Sequence, residues 1–493
     1  MADETSPLLQ LRYLIENKCC QSAPVTNFER KIRSSLILVV TAATIGCSGG
    51  NNGLEQTDPA PEVVTPPDTT TLVDLMVTAS PTQSKDFYLL PESDDFDNIP
   101  QDPLNSLTQE KVDAGKLIYH DPAFATEGVA LRAKTWSCAT CHHARAGFKS
   151  GLIQGMGEGG EGFGLKGETR TWHDPDTGTQ DADVQPVTSP TILNVAYQDV
   201  MLWNGALGNA SNGIINAGID PERLMTEGTP KEANQEGLSG IETQAIAGTG
   251  VHRILAFPPE LEDTEYYQML LDAFPEFSRD ELNKSSTRAI AAFERTVLAN
   301  KAPFQQWLRG DEFAMSTKEI SGAEVFFGEG GCVACHQGPA LSSPVGATED
   351  QVFFAVGFSD LDVNEIIGEV ADGVRLGRGG LTGQEADNYK FKVPQLYNLA
   401  DSDVFGHGGS FASVREVVEY KNTAVAQNDA SITKLDYRFV PLNLSPTQID
   451  DLVAFLEVSL RDPDLMRYEP TSLPSGLCVI NNDSTSRADL GCD

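Results

Sequence analysis

Cys138-Ala139-Thr140-Cys141-His142 and Cys332-Val333-Ala334-Cys335-His336 are two copies of one pattern, Cys-x-x-Cys-His. That pattern is the attachment signature of c-type haem. Two thiols add across the vinyl groups of the porphyrin, and the adjoining His is held where its imidazole meets the iron. Two other chemistries use Cys-x-x-Cys. A four-cysteine zinc site brings its pairs within roughly 15–20 residues of one another, whereas these pairs lie far apart. A thioredoxin-like redox pair has no need of the His that follows each pair here. The chain is therefore expected to carry two covalently bound haem c groups. Cys138, Cys141, His142, Cys332, Cys335 and His336 are the binding residues, with His142 and His336 as iron ligands.

A stretch of helical period precedes each motif. Thr108 to Tyr119 places Val112, Leu117 and Ile118 at that spacing, and Ser316 to Phe327 does the same with Ile320, Ala323 and Phe327. The two segments read as an internal duplication. A helix leading into the motif, with loops after it, is the plan of class I cytochromes c. The expected fold class is mainly α, with two class I cytochrome c-like haem domains at 81–300 and 301–470. Further helices are expected at 263–274, 279–299, 413–420 and 447–460, the last announced by Ser445-Pro446-Thr447. Glycine-rich stretches at 154–167 and 373–383 read as loops and lack the context of a phosphate site.

The 493 residues hold 71 Asp and Glu against 35 Lys and Arg, a formal charge of -36. Such a surface repels nucleic acid and anionic lipid heads, so no nucleic-acid partner is expected. It suits basic partners at low salt, or salty surroundings in which the field is screened. Arg30, Lys31 and Arg33 precede an apolar run from Leu36 to Ile45 that ends in Thr44-Ile45-Gly46-Cys47. Residues 1–47 thus read as a lipoprotein signal region, too short to span a bilayer, with Cys47 lipidated. Membrane contact would then be by lipid anchor only, on the periplasmic side of a bacterial envelope, and Ser48 favours the outer membrane. A plain cleaved signal is the alternative. Residues 1–24 do not belong to such a signal, and with a start at Val25 Cys19 and Cys20 drop out of the protein. Residues 48–80 read as a flexible linker rich in Pro, Thr and Asp. Of the cysteines only Cys478 and Cys492 then remain, and in an oxidising compartment they pair to close the tail at 471–493.

Three further stretches narrow the class. They are Pro190-Thr191-Ile192-Leu193-Asn194 leading to Leu202-Trp203-Asn204-Gly205, Phe391-Lys392-Val393-Pro394-Gln395-Leu396-Tyr397-Asn398, and Gly406-His407-Gly408-Gly409 followed by Ser413 to Glu419. In order and spacing they are similar to Pro-Thr-x-x-Asn…Phe-Trp-Asp-Gly, Phe-Lys-x-Pro-Thr-Leu-Arg-Asn and Phe-His-Asp-Gly…Glu-Glu-Val-Val. From about residue 85 to 470 the chain resembles the bacterial dihaem cytochrome c peroxidase family, which includes MauG-type enzymes.

The resemblance implies an enzyme that reduces hydrogen peroxide with electrons from a small cytochrome c or cupredoxin. Peroxide reacts at the haem on His142, the haem on His336 receives electrons, and Trp203 lies between them as a relay. The family's acid–base Glu follows a Leu-Glu-x-Gln stretch. Here Gly240-Ile241-Glu242-Thr243-Gln244 resembles that stretch, but Gly248-Thr249-Gly250-Val251-His252-Arg253 follows it without a Glu. His252 stands nearest the lost position and is expected to move the proton. Arg253 is expected to polarise the O–O bond or hold a propionate. The loop from Lys149 to Gly167 lacks the His that caps the first haem in many members, leaving His173 as nearest candidate and an open haem as the expectation. His120 and His143 are expected to be bystanders. Counting from His407, Lys421 falls on the sixth-ligand position of the second haem, with Tyr420 beside it and Met466 as a further candidate. Thr188, Ser402 and Val404 match the positions that hold Ca2+ in the family. Two alternatives stay open, a MauG-type oxidase that modifies a partner protein and a purely electron-transferring cytochrome, and a homodimer is left open too.

Overall fold

Helix α1 (Thr70–Ala79) is the first helix of this computed structural model, which describes residues 65–172, 183–208, 215–361 and 370–492. The signal region, most of the expected linker and His173 lie outside the described residues. Residues 70–79, expected to be linker, are helical instead. Leu72 and Met76 sit one turn apart and are fully buried, so the segment has an apolar face and a core to place it on.

The other principal helices are α2 (Gln109–His120), α3 (Gly240–Val251), α4 (Glu265–Ala273), α5 (Leu282–Thr296), α6 (Pro303–Leu308), α7 (Thr317–Phe327), α8 (Val414–Thr423), α9 (Pro446–Ala454) and α10 (Ser484–Leu490). Sheet among the described residues amounts to two antiparallel pairs. Strand β1 (Gly160–Glu161) pairs with β2 (Thr171–Trp172), and β3 (Phe353–Phe354) with β4 (Phe391–Lys392). The fold is mainly α, as expected. Caps account for several starts: the Ser316 hydroxyl accepts from Glu319 N, and Ser445 accepts from Gln448 N with Pro446 in the first turn.

The duplication is visible atom by atom. Helix α2 packs on α5, and α7 packs on α9. Asn194 and Asn398 are both left-handed at φ 57° and each opens a 3-10 turn. Asn194 N donates to Val297 O just past α5, and its Oδ1 accepts from Ala299 N. Asn398 N donates to Leu460 O beyond α9, and its Oδ1 accepts from Asp462 N. Each haem motif is thus followed by the same knot tying its loop to the second helix of its pair.

Both helix pairs cross at a glycine. A Cβ on Gly115 would lie 1.8 Å from Ala289 O, and one on Gly322 would lie 1.9 Å from Asp451 O. The obstacle is main chain, which cannot swing aside. Gly322→Ala is therefore expected to cost about 3 kcal/mol, at the upper end of overpacking penalties. Gly250→Ala, with nothing within 4 Å of the added carbon, should be neutral or stabilising. Denaturant melts of the two variants check this.

One helix was not foreseen, and one expectation fails locally. Helix α3 was not legible, because three glycines interrupt it and its buried residues, Ile241 to Thr243, Ala245, Ala247 and Thr249, leave no clean polar face. The stretch 373–383, expected to be loop, holds the short helices Asp372–Arg375 and Arg378–Thr382, anchored by buried Arg378. The Cys478–Cys492 disulfide forms as expected and encloses α10.

Candidate functional site

Gly331, at φ 61°, turns the chain after α7 and launches the 3-10 turn Cys332–Ala334, so two thiols and His336 leave one short loop. Neither thiol is in a disulfide. His336 Nδ1 lies 2.8 Å from Leu341 O, so the proton sits on Nδ1 and Nε2 keeps a lone pair for a metal. Burial holds this imidazole neutral, pulling its pKa down to about 4. The loop opens onto a cavity of about 310 Å³ walled by Phe326, Val418, Leu452 and Leu456. Its polar edge is cationic: Lys149, Lys392, Lys421 and Arg438 line it against one carboxylate, Asp436. Burial pushes each lysine amine down to about 8. In a chain of charge -36, cations gathered around an apolar slot with two free thiols fit a flat ring bearing two carboxylates. The residues fit haem c.

The three sixth-ligand candidates separate. Lys421 lines the cavity, its amine resting against the Phe358 and Phe439 rings at 4.9 and 5.2 Å. Tyr420 turns away, its hydroxyl donating to Val356 O at 2.6 Å. Met466 is 44% exposed and forms no part of the wall.

At the first motif the turn Cys138–Thr140 presents Cys138 and Cys141, again in no disulfide, with burial pushing both thiols up to about 12. Tyr119 donates its hydroxyl to His142 O at 2.6 Å and fixes the ligand's backbone. His142 is held neutral by burial, and next by repulsion from His252, so its pKa falls to about 4. Its Nδ1 has no hydrogen-bond partner. His252 follows directly on α3. Its backbone carbonyl accepts from Trp136 Nε1 at 2.9 Å, and its Nδ1 lies 3.0 Å from Asp183 Oδ2. Burial lowers the His252 pKa, but the Asp183 carboxylate outweighs it and the net shift is upward. The ring is 27% exposed, open to a small solute. Arg253 is ion-paired with fully buried Glu158, so its guanidinium is neutralised locally rather than held ready for an anion. His120 bonds to Lys116 O, and His143 is fully buried against Phe163.

Trp203 lies on the wall of the cavity at the second motif. Its Nε1 donates to Thr188 O at 2.8 Å, its carbonyl accepts from Lys392 N, and its ring meets the His407 ring edge-on at 6.3 Å. Pro190, two residues past Thr188, lines the same cavity while its carbonyl faces His142. The segment carrying Trp203 thus touches both motifs. Thr188, Ser402 and Val404 meet here, but as partners of other groups. Lys149 Nζ donates to Val404 O at 2.6 Å and to Ser402 Oγ at 3.3 Å, while Thr188 O is taken by the indole. This donor set does not form the open cage of oxygens that Ca2+ requires. No group of three His, Cys, Asp or Glu among the described residues is placed to hold a metal ion.

Sequence reasoning missed Asp183, Lys149 and Glu294. Glu294 on α5 is buried close enough to Cys138 to act on it, and burial pushes its carboxyl up to about 8. The signal was available, since Glu294 and Arg295 follow the apolar run Ala289 to Phe293. Arg295 pairs with buried Glu242, so that pair secures α5 to α3.

A helical protein with two Cys-x-x-Cys-His sites joined by a tryptophan segment defines a haem oxidoreductase. Residues 109–313 match the family model described as di-haem cytochrome c peroxidase. The chain is 26% identical to the methylamine utilization protein MauG of Methylorubrum extorquens over 370 residues, covering 74% of this chain and 83% of the relative. It is also 26% identical to the cytochrome-c peroxidase IdrP1 of a Pseudomonas species over 399 residues, covering 76% and 86%. A crystal structure of a MauG-like protein associated with microbial copper homeostasis shares the fold, at TM-score 0.50 and 22% identity over 76% of this chain and 96% of that one. The chain is similar to the dihaem cytochrome c peroxidase/MauG family, and its named relatives support a peroxidase-type oxidoreductase.

Proposed function

We propose that the chain is an exported dihaem peroxidase that reduces hydrogen peroxide to water with electrons from a small cytochrome c or cupredoxin. The observation that carries this reading is the Asp183–His252 pair set beside His142, with a connecting segment that runs to the second motif. Haem c bound at Cys138, Cys141 and His142 and at Cys332, Cys335 and His336 supplies the redox equivalents. The chain's own residues supply the rest. Asp183 accepts from His252 Nδ1 and leaves Nε2 to take a proton from one peroxide oxygen and return it to the other. Trp203 carries charge between the sites, and Lys392 would offset the propionates. Lys421 would be the further residue to hold the iron of the haem bound at His336. The signal features of residues 1–47 support a periplasmic, lipid-anchored protein, and no helix among the described residues is long and apolar enough to cross a membrane.

The test is peroxide-dependent oxidation of reduced cytochrome c by the fully haem-loaded protein. Steady turnover is expected, and its absence removes the reading. A MauG-type oxidase is the second reading, favoured by a cavity wall with no Met. It would show as a peroxide-dependent mass change on a co-purified partner.

For Lys421, the ferric wild type should lack the methionine–iron charge-transfer band, and Lys421→Met should gain it. Lys421→Ala should move that haem toward high spin in electron paramagnetic resonance. An unchanged spectrum in Lys421→Ala removes Lys421 as a ligand.

A further inference from the structure

We propose that Lys149 is the resident cation of the seam between the two haem halves, its ammonium standing among the positions that match the family's Ca2+ site, and that it holds the Trp203 segment in place.

Lys149 follows the first haem motif and is anchored there by an antiparallel bridge to His143. Its side chain crosses to the loop 402–406 of the second half. There Nζ donates to Val404 O and Ser402 Oγ, and it lies 5.5 Å from the centre of the Phe405 ring. Ser402 Oγ in turn donates to Val404 O at 3.0 Å, so one amine gathers a carbonyl and a hydroxyl that would otherwise face each other. Loop 402–406 runs directly into Gly406 and His407. Thr188 Oγ1 donates to Gly406 O at 2.9 Å, Thr188 N donates to His407 O at 3.0 Å, and Thr188 O receives the Trp203 indole. A single chain of bonds therefore leads from the ammonium to Trp203.

Three features distinguish this arrangement from a surface lysine. The side chain is half-buried, and its desolvation alone lowers the amine's pKa. Its bonds go to a main-chain carbonyl and a hydroxyl, neutral oxygens of the kind that solvate a bare cation. It has no carboxylate partner among its hydrogen bonds, so it is not one half of an ion pair. A tethered ammonium of charge +1 needs fewer oxygens than Ca2+, which takes six to eight. It also cannot be lost to a chelator. Lys149 acts on the site through other groups and is a positioning residue.

The experiment uses the haem-loaded full chain. Elemental analysis after metal-free dialysis should find iron at two per chain and no stoichiometric calcium, and EDTA should leave both Tm and interhaem electron transfer unchanged. Lys149→Ala should lower Tm by a few °C and slow interhaem transfer about 10-fold with both haem spectra intact. Lys149→Arg should recover most of the rate, and Lys149→Met should not. One tightly bound Ca2+ per wild-type chain, or a Lys149→Ala protein with unaltered transfer, overturns the proposal. Metal content is read without peroxide, so its outcome is independent of whether the protein proves to be a peroxidase.

Discussion

His252→Ala should lower kcat/KM for hydrogen peroxide by 10²–10⁴-fold, the usual contribution of one positioned acid–base group, while both haems stay attached. The substitution removes Nε2 without touching His142, and the Trp136 bond to the residue-252 carbonyl survives because it uses main chain. Asp183→Asn is the finer probe. The carboxylate raises the His252 pKa, so its removal should let that pKa fall. If neutral His252 takes the first proton, kcat/KM rises with pH through this pKa. The acid limb of the profile should therefore move to lower pH in Asp183→Asn. A pH–rate profile with full turnover in His252→Ala, or with an unmoved acid limb in Asp183→Asn, would assign the proton transfer elsewhere. Glu294 would then be the next group to test, since its carboxyl is buried beside Cys138 and holds its proton up to about pH 8.

Trp203→Phe should slow electron transfer between the haems by at least about 10-fold, as stopped-flow reduction of one centre and reoxidation through the other would read. Phe keeps an aromatic ring on the cavity wall but loses the electron-rich indole and the bond from Nε1 to Thr188 O. The lost bond leaves a carbonyl unpaired at a cost of roughly 1 kcal/mol, too little to unfold the protein. Both haem spectra should therefore persist. Unchanged transfer would remove Trp203 from the path and leave it as wall alone.

The sequence spoke most clearly where chemistry needs particular residues at fixed spacing. Cys-x-x-Cys-His located both motifs, and the helix before each followed from apolar period. The Cys478–Cys492 pair followed from counting thiols. What stayed hidden depends on the third dimension. Asp183 lies far from His252 in sequence and carries no local signature. Lys149 looks like any polar residue after a loop, and its partners come from chain more than two hundred positions away. Arg253 was legible as a cation but not as half of a pair, because Glu158 comes from a distant glycine-rich loop. Helix α1 was lost to composition, since the residues around it resemble a linker while Leu72 and Met76 mark a buried face.

Ser137 Oγ beside the first motif donates to Ile480 O, and buried Arg170 pairs with Asp483, both partners lying within the loop that Cys478 and Cys492 close. Ribosomes make that loop long after Cys138 and Cys141. The surroundings of the earlier motif are thus completed by some of the later-made residues of the chain. Stalled or clipped polypeptides would lack both of these contacts beside Cys138 and Cys141.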